Sequence, residues 1–220
     1  MKCRYKQKAA EKAEQRQIEV YGDLTDQFLA FLDYTKGMAM HDLFGHGKVR
    51  LDTLYKDHHL LLATIMNTFE DKEDPDPRNY SKNTLELYDG LLKNAGVDIE
   101  DLKKGYVIED RYKEPVLPRD KEFWNPIHAN RAMFVQEFDR YSTTSVAAWL
   151  SYINDKYGFG KVRLERAFHW VWGRYVKFCE HYLLTKKEGD AAVSFLLKSS
   201  RDYLKTLNLE IFRDFEEDSP

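Results

Sequence analysis

The amino-acid sequence predicts an all-α protein: a helical bundle built from two duplicated helix-GxG-helix units, an irregular connecting segment and a terminal helix. Three observations predict it. Only 11 glycines and 6 prolines interrupt 220 residues while 32% are charged, a composition that suits helices and excludes collagenous, low-complexity and sandwich-type chains. Apolar side chains recur at steps of three and four over much of the length. One string of residues appears twice, at a constant offset of 113.

Residues 1–16 carry Lys2, Arg4, Lys6, Lys8, Lys12 and Arg16 against Glu11 and Glu14. With so little apolar surface they are expected to form a frayed basic arm. The first unit spans 17–70. Its opening helix is predicted at about 24–42, where Leu24, Phe28, Phe31 and Leu32 share a face, and Gly45-His46-Gly47 turns the chain into a second helix reaching about residue 69. There Leu51, Leu54, Tyr55, His58, Leu61, Leu62, Ile65, Met66 and Phe69 form one stripe, and Lys48, Asp52, Lys56 and Asp57 fall on the face left to water.

The connector, 71–126, begins at Asp74-Pro75-Asp76-Pro77, where each proline drives its predecessor out of helical geometry. A short helix at about 83–93 ends at Asn94-Ala95-Gly96, a left-handed cap, and Asp98 caps a brief turn through Leu102. Residues 105–126, with Pro115, Pro118 and Pro126, read as irregular, with one extended piece at Tyr106-Val107-Ile108. The second unit, 127–208, is predicted as helices at about 127–141 and 143–156, divided where Ser142-Thr143-Thr144 suits an N-cap. Gly158-Phe159-Gly160 follows, then a long helix to about 183 and a terminal one at about 188–206. Residues 209–220 end in Glu216-Glu217-Asp218 and read as a disordered acidic tail.

The repeat pairs Asp42-Leu43-Phe44-Gly45-His46-Gly47-Lys48-Val49-Arg50-Leu51-Asp52 with Asp155-Lys156-Tyr157-Gly158-Phe159-Gly160-Lys161-Val162-Arg163-Leu164-Glu165. Chance rarely writes Gly-x-Gly-Lys-Val-Arg-Leu twice in one chain, so we read it as an internal duplication. The stripes after the glycines share their phase, Leu51, Leu54 and Tyr55 matching Leu164, Ala167 and Phe168. Each unit then leaves an apolar face for a partner to cover, either the other unit about a pseudo-two-fold axis or a second copy of the chain.

The motif admits two readings. As helix punctuation, one glycine closes a helix in the left-handed conformation and the next opens the following helix, with Asp42 and Asp155 bonding to the opposing backbone or to Lys or Arg. As an anion site, helix N-termini backed by Lys48, Arg50, Lys161 and Arg163 cradle phosphate. It is neither a Walker loop, which needs four residues between its glycines after a strand, nor a dinucleotide fingerprint, which needs a third glycine.

The string His41-Asp42-Leu43-Phe44-Gly45-His46-Gly47-Lys48-Val49-Arg50-Leu51, with its second copy from Tyr157 to Leu164, resembles a motif of small uncharacterised proteins of bacteriophages and prophages of Gram-positive bacteria. That motif reads approximately His-Asp-x-Phe-Gly-Phe-Gly-Lys-x-Arg-Leu. His46 stands where an aromatic is usual, and His41 has Asn154 as its counterpart. The resemblance implies a phage or mobile-element protein acting in bacterial cytoplasm. It carries over no catalytic residue.

Composition narrows function further. A net charge of -3 argues against a globally basic nucleic-acid binder. Two cysteines, Cys3 and Cys179, cannot make a disulfide framework and fit a reducing compartment. No apolar run approaches the roughly 20 residues of a membrane span, and the charged start, Met1 to Lys6, does not read as a signal peptide. The cluster Phe168, Trp170, Trp172, Tyr175 and Phe178, with Arg174, cannot share one stripe, since steps of two point apart on a helix. Either that helix is buried on most sides or Trp170, Trp172 and Arg174 face a partner. His58 and Cys179 sit on apolar stripes and read as core.

We therefore expect a non-enzymatic interaction protein, an inhibitor of a bacterial defence or nucleic-acid machine such as a CRISPR effector, acting by protein–protein binding. The alternative is a nucleic-acid-binding regulator that uses the basic arm and the two GxGKxR turns on phosphates. A weaker third is a metal-dependent phosphohydrolase, suggested by His41-Asp42 but lacking the further His and distant Asp such sites need. No catalytic residue, metal or cofactor is assigned.

Overall fold

The computed structural model describes residues 26–57, 77–106, 126–183 and 186–209, and among these it contains seven helices and no strand. They are α1 (26–44), α2 (48–57), α3 (Pro77–Asn94), α4 (Ile99–Lys103), α5 (Pro126–Tyr157), α6 (Lys161–Leu183) and α7 (Lys186–Thr206). The all-α class read from composition and periodicity is the class of the fold. Among the described residues no helix is long and apolar enough to cross a membrane. The basic arm, the stripe beyond residue 57, the acidic run before Pro77, the extended piece after Tyr106 and the acidic tail from 210 lie outside the described residues.

The core forms where α1, α5 and α6 meet. Phe28 of α1 is fully buried, with its ring centroid 5.2 Å from Phe138 of α5 and 5.0 and 5.1 Å from Phe178 and Tyr182 of α6. Phe31 stacks on Phe178 at 4.2 Å. These edge-to-face and offset contacts are the arrangements that ring quadrupoles favour. Gly37 lets α2 come close to α1: a Cβ there would lie 2.0 Å from the Tyr55 hydroxyl, which donates to the Asp33 carbonyl. Lys36 is buried to 2% exposure, yet its ammonium donates to Ser145 Oγ at 2.7 Å and pairs with Asp33 at 3.0 Å, tying α1 to α5.

Three sequence expectations give way here. The helix expected at about 83–93 begins at Pro77, where proline suits the first helical turn, and runs 18 residues to Asn94. α5 is one unbroken helix of 32 residues, with no division at Ser142-Thr143-Thr144. Small hydroxyl side chains serve as caps, but they also bond back to the preceding turn. Thr143 and Thr144 do so, donating to the carbonyls of Asp139 and Arg140, while Ser142 donates to the Tyr175 hydroxyl across the α5–α6 interface. Nor is the polar face of α2 left wholly to water, although Lys56 is exposed. Asp52 is buried against Lys48, and Asp57 accepts from Tyr152 and pairs with Lys156, both on α5. The Tyr152 hydrogen bond, with Lys156 beside it, holds the Asp57 carboxyl below its ordinary pKa.

The capping signals at Gly96 and Asp98 hold. Gly96 takes φ 81°, its N–H bonds to Lys93 O and that of Val97 to Leu92 O, closing α3 with Val97 and Leu92 both buried. The Asp98 side chain accepts from the Asp101 N–H and starts α4.

Candidate functional site

The two Gly-x-Gly corners share a backbone form. Gly45 has φ 66° and Gly158 φ 62°, the left-handed conformation that only glycine adopts without strain. Gly47 O accepts from the N–H groups of Arg50 and Leu51, and Gly160 O from those of Arg163 and Leu164, so each second glycine is an N-cap. A glycine cap has no side-chain acceptor, so the positive ends of the α2 and α6 dipoles are left without one from the cap residue. The residues just beyond match in exposure: Val49 and Val162 stand in solvent, and Leu51 and Leu164 are fully buried. The aspartates do not bridge the corners as expected. Asn154 spans the second, donating to the Phe159 carbonyl at 2.8 Å, and Asp42 is taken by Tyr203 of α7.

The corners pack against each other within one chain. Phe44 lies 4.6 Å from Phe159, and His46 lies 4.8 Å from Tyr157. Phe44 and Tyr157 are equivalent in the repeat, as are His46 and Phe159. The two contacts are thus reciprocal between the two occurrences of the motif.

Between the corners opens a cavity of about 700 Å³ lined by Leu43, Phe44, His46, Arg50, Tyr157, Phe159, Arg163 and Arg166. Three of these eight side chains are guanidiniums and none is a carboxylate. No carboxylate among the described residues pairs with Arg50, Arg163 or Arg166. Arg163 is steered by the Phe159 ring, with Cζ 5.4 Å from its centroid. Three exposed guanidiniums thus line one opening at the N-terminal ends of two helices, an arrangement that favours an anion.

His46 lies between the rings and the charges. Its side chain is 2% exposed, and its Nδ1 is buried without a hydrogen-bond partner. Burial, with Arg50 nearby, pushes its pKa below 6.5, so the imidazole is neutral at physiological pH. Burial likewise raises the Tyr157 hydroxyl, which donates weakly to the Arg50 carbonyl at 3.5 Å.

Of the residues singled out from the sequence, Arg50 and Arg163 meet at the cavity. Lys48 and Lys161 do not line it and pair within their own helices, with Asp52 and Glu165. Sequence reasoning missed Arg166, although it follows Arg163 by one helical turn, and missed the four rings because they come together only when the corners meet. The aromatic cluster of α6 resolves differently from a docking face. Trp172 is a core residue, 2% exposed and stacked on Phe168 at 5.5 Å, and so presents no surface to a partner. Trp170 is half-buried beneath the Arg174 guanidinium, 3.4 Å from its ring, and Arg174 itself is exposed.

The remaining reactive groups are committed elsewhere. His41 Nδ1 lies 2.8 Å from the Tyr203 hydroxyl, which donates to Asp42, and the Tyr203 pKa is pushed up to about 12 by burial and that carboxylate. Burial pushes the Cys179 thiol up to about 12, far from reactive thiolate character. Among the described residues no three His, Cys, Asp or Glu side chains converge as metal ligands. Neither protein-family models, curated proteins nor solved structures offer a match to this chain.

Proposed function

We propose that this chain is a non-enzymatic binding protein that grips the phosphates of nucleic acid in the cavity between its glycine corners. The observation that carries the reading is the convergence of Arg50, Arg163 and Arg166 on one cavity with no described carboxylate to neutralise them. Guanidinium groups form bidentate hydrogen bonds to phosphate and keep their protons at any physiological pH, so the site is built to hold an anion rather than to move a proton. A phage-borne protein that binds nucleic acid, or blocks a machine that does, fits this site in the bacterial cytoplasm. The protein-docking reading loses Trp172, which is buried, and keeps only the Trp170–Arg174 pair at the surface.

Fluorescence anisotropy with labelled oligonucleotides, both single-stranded and duplex, tests the proposal. Binding at low salt should weaken steeply as salt rises, and Arg50→Ala with Arg163→Ala should weaken it and flatten the salt dependence. Exposed Lys198, on α7 and away from the cavity, supplies a control substitution that should change neither. No retention of either oligonucleotide at low salt would remove the reading.

A further inference from the structure

We infer that the cavity between the corners receives one unpaired nucleotide, its phosphate on the arginines and its base among Phe44, His46, Tyr157 and Phe159. The inference rests on the phosphate-binding reading and adds the form of the nucleic acid. Three observations carry it. A protein that only tracks a phosphate backbone needs a charged surface, whereas this site is a concave space of about 700 Å³, within the range of small-molecule pockets. Half of its lining residues are rings. Phe44 and Tyr157 are only half-buried, leaving ring surface on which a base can stack.

The third observation is the orphaned nitrogen. Four buried side-chain atoms among the described residues lack a hydrogen-bond partner, on His46, Asp89, Trp149 and Ser151, and His46 alone lines the cavity. A neutral imidazole offers one donor and one acceptor, which suits the edge of a base better than a phosphate. Bases inside a duplex are stacked and cannot reach such a space, whereas an unpaired base can.

The same chemistry could arrive as a free nucleotide or as one residue of a strand, and one experiment separates them. Anisotropy should be measured with a single-stranded 12-mer, the same strand annealed to its complement, and an abasic strand of equal length. Adenosine monophosphate should be added to the first complex as competitor. The intact single strand should bind about tenfold or more tightly than the duplex and the abasic strand, since they offer the same phosphates without a free base. Phe44→Ala or Tyr157→Ala should erase that preference while keeping the residual phosphate affinity. Two rings are named so that failure of one variant to fold does not end the test. Displacement of the strand by micromolar monophosphate would keep the pocket and make a free nucleotide its ligand. Equal affinity for all three strands would overturn the inference and leave phosphate binding standing. Failure of every strand to bind at low salt would overturn both.

Discussion

His46 occupies the position that Phe159 holds in the other corner, but it buries a nitrogen where Phe159 buries only carbon. An unsatisfied buried polar atom costs about 1–3 kcal/mol, and nothing in the packing of the corner requires it, since a phenyl ring serves the same turn 113 residues later. His46→Phe is therefore expected to raise stability by about 1 kcal/mol in urea denaturation, while abolishing the preference for an unpaired base. The pH dependence should change with it. The folded pKa of His46 lies below the unfolded value of about 6.5, so the unfolded chain binds more protons in the window beneath that value. Stability then falls as pH drops below about 6.5 and levels off once pH passes under the folded pKa. The phenylalanine variant should lose this component. A variant less stable than the parent at neutral pH, or one with an unchanged acid slope, would show that the orphaned nitrogen carries no strain.

Glycine has opposite meanings in different elements of this fold. Gly45 and Gly158 close α1 and α5 at positive φ, with open space where a Cβ would sit, so the only obstacle to alanine there is the backbone itself. Gly45→Ala and Gly158→Ala should each cost about 1–2 kcal/mol, and asparagine, which tolerates the left-handed region, should cost less. Gly90 also has open space around its missing Cβ, but it lies inside α3 and is exposed. Gly90→Ala should stabilise by about 0.5–1 kcal/mol through helix propensity. The contrast in sign, read by equilibrium denaturation, isolates the corner conformation from any packing effect. These corners were legible from their spacing, as were the Gly96 cap and the Asp98 cap, because each has a single local solution. Ser142-Thr143-Thr144 was not, because its hydroxyls have two local solutions. The choice between cap and back-bond is made by α6, whose Tyr175 takes the Ser142 hydroxyl from outside α5.

The site emerges only at the scale of the whole molecule. Arg50 and Arg163 could be picked from the motif, but the motif left open whether each copy faces the other or a second chain, and nothing local says that the lysines beside them are spent on Asp52 and Glu165, or that Arg166 joins in. The same scale limits how nucleic acid is drawn in. With a net charge of -3 the chain exerts no long-range attraction on a polyanion, and beyond a Debye length of about 10 Å at 0.1 M salt the cavity's charge is screened. Affinity must then come from the contacts themselves. Three arginines on a single strand release counterions with a slope of about −0.7 each, so log affinity against log salt should fall with a slope of about −2. The double substitution of Arg50 and Arg163 should bring it to about −0.7. The basic arm holds six further cations between Lys2 and Arg16. If it lies along the strand as well, the parent slope steepens toward about −6, and deleting residues 1–16 restores about −2. A slope near zero with measurable binding would mean that the strand is held by its bases alone, and the guanidinium cluster would lose its role.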